Sequence, residues 1–588
     1  ESLTMKKLAV AVCAAVAAAS GAFAGKIYYF DPVNGKDTND GLTEETAFQN
    51  LSKKSGNISA DGDEYRLMKG VYRETFVLRA PNLTIRGWKA SRDEVIIDGE
   101  NVRRGIRVNN YEEYAFTNSV IHGLTVRNCV ISDYSANSGN NGAGISLLSR
   151  DLMVSNCVVY ACHNNGNNGG GIALMYAGGK VVDCVVSNCT AAGGGGIYVV
   201  SGSHEPGFEV RGCTVRNCRG ISRTVDNGKG GTTDQKGQGG ALYAQRGISI
   251  SNCTFAENSA DDTGGGICLA DKSNNTILRD NFLVDVQLIS NVSTKAGGIY
   301  AGQGGTNYLA QVTLVGNVAT NGNGGGIYNI HDTVVSNAIF RANVAKTQGG
   351  GVYGIDDVTF QNCIFDANVC SGEGLASDVA GGGARIGNAH GCVATFRNCL
   401  FTDNVVSNGY GGAIGNNASR SITNYVFNCT FVNNGVGGSG GTANEQGTGG
   451  AIGAKSTHYC VSNSVFYGNW AVKQDCVQIG HGTGNRASVA DVGLGHSYEN
   501  KMAKGNMMQD GVDGCIVAEG DPGFTDAANG DYTLTKSSIL VDKGFNQDWM
   551  DSATDLRQKK RFGRIYNDIV DMGCYEYWPV PGILLMVR

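Results

Sequence analysis

From about residue 120 to residue 470, short apolar runs alternate with clusters of Gly and Asn, always in the same order. Runs such as Lys180-Val181-Val182-Asp183-Cys184-Val185-Val186 and Asp357-Val358-Thr359-Phe360 are β-branched or alternating, and lack the 3.6-residue period of a helix. Such runs predict short strands separated by turns. A run of small residues closed by an aliphatic one ends at Ile145, Ile172, Ile197, Leu242, Ile267, Ile299, Ile327, Val352, Ile414 and Ile452, with a degenerate copy at Ala384. The shortest spacing between closures, 25 residues, occurs three times.

A second signature follows each Gly cluster. It reads Asn, then Cys or a small residue, an apolar residue two positions on, and a second Asn three further along. Asn252-Cys253-Thr254-Phe255 with Asn258 shows it, as do the copies that end at Asn343, Asn368, Asn404, Asn434 and Asn469. In earlier units both marked positions are cysteines five apart: Cys157 and Cys162, Cys184 and Cys189, Cys213 and Cys218. A 25-residue unit of two or three strands is one coil of a parallel β-helix, each coil pairing with the next through its backbone. Stacked turn Asn residues can then hydrogen-bond along the column. The two marked positions stay five apart, whereas the stretch from the second to the next aliphatic closure runs from 8 to 24 residues. Insertions therefore gather at one corner of the coil, the longest within 219–238, 435–448, 369–380 and 130–141, and that side becomes the expected binding face.

Composition sharpens this picture. The chain has 588 residues with 88 Gly and 6 Pro, and no Pro lies between Pro206 and Pro522. Collagen needs abundant Pro, and 41% hydrophobic residues are too many for a flexible linker. A missing N–H is excluded where every coil must pair with its neighbours. Lys plus Arg (47) nearly balance Asp plus Glu (53), which speaks against nucleic acid as a partner.

Met5 to Ala24 carry two lysines, an apolar stretch and small residues at Ala22 and Ala24, the pattern of a secretory signal peptide. The expected organisation is a signal peptide at 1–24 with an upstream extension at 1–4, an N-terminal cap with the first coils at 25–120, the repeat β-helix at 121–515, a C-terminal module at 516–578 and a short tail at 579–588. A secreted or cell-surface location follows, with no transmembrane segment in the mature chain.

Pairing GGA[I/L/V] with Phe-x-x-Asn resembles the repeats of polymorphic outer-membrane proteins, in which right-handed β-helices serve adhesion. The flanks resemble secreted β-helix proteins of the pectate-lyase-like group, through Tyr29 to Gly41, Ala47-Phe48 and Gly70-Val71-Tyr72. Asp521-Pro522-Gly523-Phe524, Gly530-Asp531-Tyr532 and Asp571-Met572-Gly573-Cys574-Tyr575-Glu576 look like a choice-of-anchor module. A short helix is expected over residues 44–53, with Thr43 as N-cap, plugging the first coil.

Three sets of side chains carry candidate chemistry. Cys157, Cys184 and Cys213 would stack in one column, and Cys129, Cys162, Cys189 and Cys218 in another, as disulfide staples or as a ladder of buried thiols. Asp31, Asn34, Asp37, Asn39 and Asp40 gather oxygen ligands suited to calcium in one loop. Arg219, Arg223, Asp226, Lys229, Asp234 and Lys236 make the longest insertion a candidate saccharide-binding loop. The expectation is an all-β, single-stranded right-handed parallel β-helix of roughly fifteen coils, capped at both ends and on the order of 70 Å long. Its expected role is adhesin-like binding of an extracellular polysaccharide or a host or cell-surface glycan. A polysaccharide lyase or glycoside hydrolase is the alternative, and a structural surface scaffold the third reading.

Overall fold

The computed structural model describes residues 25–578 apart from 56–58, 110–117, 133–139, 150, 177, 202–206, 227–230, 246, 271–278, 303–304, 373–378, 388–391, 417–421, 438–448, 455–456, 473–477, 482–491, 502–507 and 562–568. As the repeats predict, the chain is an all-β right-handed parallel β-helix. Its strands form a 29-stranded main sheet, a 14-stranded second sheet and a 12-stranded narrow sheet. One coil shows the plan. Gly179–Val182 and Val185–Ser187 lie in the main sheet, Thr190–Ala191 in the narrow sheet and Ile197–Ser201 in the second sheet. Phe208–Arg211 then opens the next coil in register with Gly179–Val182.

The two Asn residues of the repeat do different work. The first bends the main sheet: Asn156, Asn252, Asn362, Asn398 and Asn428 all take φ between 50° and 55°. Asn tolerates this left-handed conformation better than most side chains, which explains its recurrence at the corner. The second Asn is buried, and its side chains form one continuous ladder, Asn258, Asn291, Asn317, Asn343, Asn368, Asn404, Asn434 and Asn469. Each Nδ2 donates to the Oδ1 of the next coil, as from Asn317 to Asn343 at 2.9 Å, and the series ends on Gln478 Oε1 at 2.8 Å. Asn291 and Asn317 lack the preceding Phe that marks the other members, so the motif alone misses them.

The cysteine columns turn out to be parts of longer columns. Cys129, Cys162, Cys189 and Cys218 occupy the position that becomes the Asn ladder, and the Cys218 amide donates to Asn258 Oδ1 at 2.9 Å. Cys157, Cys184, Cys213 and Cys253 precede Val286 and Val312 in the other column. All seventeen described cysteines are free thiols in this structure. Burial holds Cys162, Cys218, Cys363 and Cys399 well above the usual thiol range. Inside the later coils Phe340, Phe365, Phe401, Phe431 and Phe466 stack ring on ring at 4.6 to 4.8 Å.

Gly349 and Gly350 show why the small-residue runs are needed. Gly349 has φ +66°, and a Cβ on Gly350 would sit 2.5 Å from Gly382 O and 2.6 Å from Val369 O. The backbone of one coil lies directly against that of the next there, and only Gly fits. The predicted helix over 44–53 is replaced by turns: Thr43 Oγ1 accepts the Thr46 amide at 3.2 Å, and only Leu51–Lys54 forms a 3-10 turn. Phe48 bridges to Phe30, and this β-bridge takes the place of helix hydrogen bonding.

At the far end, Met508 and Cys515 join the interior core, and Ile516–Ala518 adds the last main-sheet strand. The following residues then turn along the flank of the solenoid. Phe524, Tyr532, Leu540 and Met572 pack on Leu400, Val432, Val465 and Tyr498 of the outer main-sheet face. This C-terminal segment also binds the corner Asn column, through Gln558 Nε2 to Asn337 Oδ1 (3.0 Å), Asn398 Nδ2 to Thr554 O (2.8 Å) and Asn463 Nδ2 to Phe545 O (2.8 Å). Its interior holds Arg561 paired with Glu576, both fully buried.

Candidate functional site

The outer face of the main sheet divides into three stretches along the solenoid. The N-terminal coils carry paired charges: Arg66 with Glu64 at 2.7 Å, and Glu209 with both Lys180 at 3.0 Å and Arg211 at 3.2 Å. The C-terminal coils lie under the segment just described. Between them the strands Asn281–Ile289, Asn307–Val315 and Thr333–Ser336 present an uncovered apolar patch. Phe282 is 44% exposed, Val284 41%, Val334 40% and Tyr308 38%.

Strand alternation puts these side chains outside. In Asn281–Ile289, Leu283, Val286 and Leu288 are buried, so Phe282 and Val284 must face solvent. Register then aligns Phe282 with Tyr308 and Tyr308 with Val334. The Phe282 and Tyr308 rings stack with centroids 5.2 Å apart and planes 7° from parallel. A contiguous exposed apolar patch is uncommon on a protein that has no partner for it. In the main-sheet strands from Ile248–Ala256 through Val358–Gln361, the one basic side chain is Arg341, held by Asp366 at 2.7 Å.

Carboxylates border the patch. At the corner leading from the second sheet into the main sheet, Asp332 immediately precedes the strand of Val334, and Asp356 and Asp357 occupy the next coil. Burial and the neighbouring Asp356 and Asp357 raise the Asp332 carboxyl above its usual range, while His331 opposes the shift. Oxygens of Asp356 and Asp357 and the Cys392 sulfur lie within 4.8 Å of one another, the one such metal-capable cluster among the described residues. Asp357 Oδ1 already accepts the Val393 amide at 2.7 Å, and Cys392 Sγ donates to Ile355 O at 3.0 Å. Beyond the corner, the second sheet carries a row of tyrosines. Tyr300 to Tyr328 is 5.5 Å, Tyr328 to Tyr353 is 4.8 Å, and the Arg385 guanidinium lies 4.9 Å from the Tyr353 ring. Burial, with help from Tyr353 and Tyr300, pushes the Tyr328 phenol up to about 12.

A second carboxylate pair lies where the C-terminal segment meets the solenoid. Asp366 accepts from Arg341 and from Thr402 Oγ1 at 3.0 Å. Partial burial, then Asp366, raises the Asp403 carboxyl, and both acids act on the Tyr532 phenol, which burial pushes up to about 12. Further along, Phe427, Cys460, Ser462, His496 and Phe545 line a cavity of about 310 Å³. Cys460 is the exposed cysteine among those described.

The residues expected from sequence fall elsewhere. Asp31 and Asp37 spend their carboxylates on turn amides and on the Asn34 and Asn50 side chains, while Asp40 accepts from the Leu42 amide and Thr46 Oγ1. Asn39 Nδ2 donates to Ala47 O. The three carboxylates do not converge within ligand-sharing distance. These are turn-forming roles, for which Asx residues are common. In the insertion, Arg219 belongs to the narrow-sheet strand Arg219–Gly220 and pairs with Asp261 at 2.9 Å. Arg223–Asp226 and Thr232–Gln235 form an antiparallel hairpin that folds back over earlier coils, with Arg223 Nη1 on Asn164 O and Gln235 Nε2 on Gly166 O. Asp234 accepts from Thr224, Lys236 lies 3.8 Å from Asp262, and Lys229 lies outside the described residues. The hairpin's charges are thus largely used within the protein. Sequence reasoning missed Phe282 and Tyr308, although apolar residues at both parities of Asn281–Ile289 were a signal that its outer face is unusual.

A family model described as a right-handed β-helix region matches residues 90–283. Among solved structures, the chain resembles the GH136 lacto-N-biosidase of Eubacterium ramulus at 12% identity, with 74% of this chain and 68% of that chain covered and a TM-score of 0.30. It resembles the GH87 α-1,3-glucanase of Streptomyces thermodiastaticus strain HF3-3 at 13%, covering 81% and 70% with a TM-score of 0.32. Pectate lyase Pel9A is similar at 13%, covering 95% and 98% with a TM-score of 0.24. These are likenesses of fold. No curated protein matches the sequence. No helix among the described residues is long and apolar enough to cross a membrane.

Proposed function

We propose that the protein is an exported surface or extracellular β-helix that binds a polysaccharide on the uncovered middle stretch of its main sheet. The observation that carries this reading is the exposed, stacked Phe282–Tyr308 pair beside Val284 and Val334, bordered by Asp332 and Asp356. Apolar C–H faces of sugar rings pack on aromatic and aliphatic side chains, and carboxylates accept hydrogen bonds from sugar hydroxyls. The leader-like residues 5–24 support export. The mature protein should be retained on at least one immobilised polysaccharide, and the double variant Phe282→Ala, Tyr308→Ala should lose that retention. Passage through every matrix tested would sink the reading.

A hydrolase is the second reading, favoured by the Asp366–Asp403 pair. Partial burial and the neighbouring Asp366 raise the Asp403 carboxyl, while Asp366 itself pairs with Arg341, and two neighbouring acids in unlike surroundings are what glycoside hydrolysis uses. Release of reducing ends from a retained polysaccharide, abolished in Asp403→Asn, would favour it over binding alone.

A further inference from the structure

We infer that the middle stretch selects polysaccharides that carry no acidic groups, a conclusion that rests on the glycan-binding reading above. The charges around the patch are one-sided. Asp285 stands in the left-handed corner beside Val284, at φ 53°, and is exposed. On the opposite border lie Asp280, Asp332, Asp356 and Asp357. Among the described residues, the basic groups bordering this region are Arg279 and His331 on the same border and Arg341, which Asp366 holds. The floor between the two borders is Phe282, Val284, Tyr308, Ala310 and Val334, with no cation to meet a uronate or a sulfate.

The contrast with the neighbouring coils of the same face strengthens the argument. Arg66, Arg86, Arg127, Lys180 and Arg211 all lie in main-sheet strands N-terminal to the patch. An acidic chain laid along the solenoid would find most of the main-sheet cations there, and Arg66, Arg127, Lys180 and Arg211 are already paired with Glu64, Asp98 or Glu209. A neutral chain meets apolar rings spaced 5.2 Å apart, close to the length of one hexopyranose unit in an extended chain, with acceptors along both edges. Like charges brought together without a counter-ion oppose binding, most strongly at low ionic strength.

The test is affinity electrophoresis of the mature protein through gels containing a neutral β-glucan, a glucomannan, polygalacturonate or alginate, at low salt. Retardation by a neutral polymer is expected to be about tenfold stronger than by either polyuronate. Phe282→Ala is expected to weaken neutral binding by about fivefold, since ligand contact would bury the exposed part of its ring. The triple variant Asp285→Asn, Asp332→Asn, Asp356→Asn should narrow the discrimination, whereas Glu519→Gln, Asp548→Asn, Asp551→Asn, which removes the same charge elsewhere, should not. Circular dichroism establishes that each variant is folded. Polyuronate binding as strong as neutral binding, and lost in Phe282→Ala, would overturn the selectivity while leaving the surface as a glycan site. Equal narrowing by both triple variants would overturn the assignment to these carboxylates. Retention of no polymer, or retention indifferent to Phe282→Ala, would overturn the site itself and the selectivity with it.

Discussion

Replacing Asn343 by Ala is the sharpest test of how this solenoid is held together. Asn343 is fully buried, and its Oδ1 accepts from the Asn317 amide at 3.0 Å and from Asn317 Nδ2 at 2.9 Å. Its own Nδ2 donates to Leu314 O at 3.0 Å and to Asn368 Oδ1 at 2.9 Å. Ala removes all four bonds. Asn368 Oδ1 keeps the Asn343 backbone amide at 3.1 Å, so the main damage is two donors on Asn317 with no acceptor. Each orphaned buried donor costs about 1–3 kcal/mol, which gives a loss of roughly 4 kcal/mol. Equilibrium unfolding in guanidinium chloride, followed by far-ultraviolet circular dichroism, measures this. Asn343→Leu fills the space but leaves the same donors orphaned, so it should destabilise about as much as Ala. Asn252→Gly, at an exposed corner with φ 50°, should be nearly neutral. If Leu restored wild-type stability, packing volume and not the hydrogen-bonded ladder would hold the coils together, and the reasoning would be refuted.

Three further outcomes are expected. Gly350→Ala should fail to accumulate as soluble protein or lose more than about 3 kcal/mol, because its Cβ meets two backbone oxygens that cannot retreat without separating coils; a folded variant with an unchanged unfolding midpoint would contradict this. A thiol reagent applied to the folded protein should label Cys460 rapidly, with Cys157, Cys184, Cys213 and Cys363 labelled only after denaturation, as peptide mass spectrometry can read. Asp403→Asn should raise the melting temperature at neutral pH: the native carboxyl is raised, so the wild type loses stability as pH climbs from 3.8 through the native value. That gain should vanish at lower pH, where the wild-type acid is also uncharged, and a gain independent of pH would point to another cause.

Much of this architecture was legible in the repeats because a coil is a local object. The Gly runs, the alternating strands and the fixed five-residue spacing are each set by backbone geometry within about 25 residues, and they recur in every coil. The insertions also fall where the spacing places them, between the narrow and second sheets, although Arg219, Val130, Val369 and Gly435 prove to be strand residues that precede the loops. The helix over 44–53 was misread because a favourable N-cap and an apolar face do not outweigh the pairing of Phe48 with the first coil.

The candidate site was the less legible part. Sequence alone determined that the chain is a parallel β-helix and where its coils begin, since periodicity dictates both. Only the tertiary structure decided that Cys218 and Asn258 share a column, that one Asn of each repeat turns the chain while the other is buried, and that residues after Ala518 lie along the flank. It also left Phe282 and Tyr308 uncovered while burying Leu400 and Val432 on the same face. Those outcomes depend on lateral contacts between residues one coil to two hundred positions apart, and no local pattern encodes which outward-facing side chains a distant segment will cover.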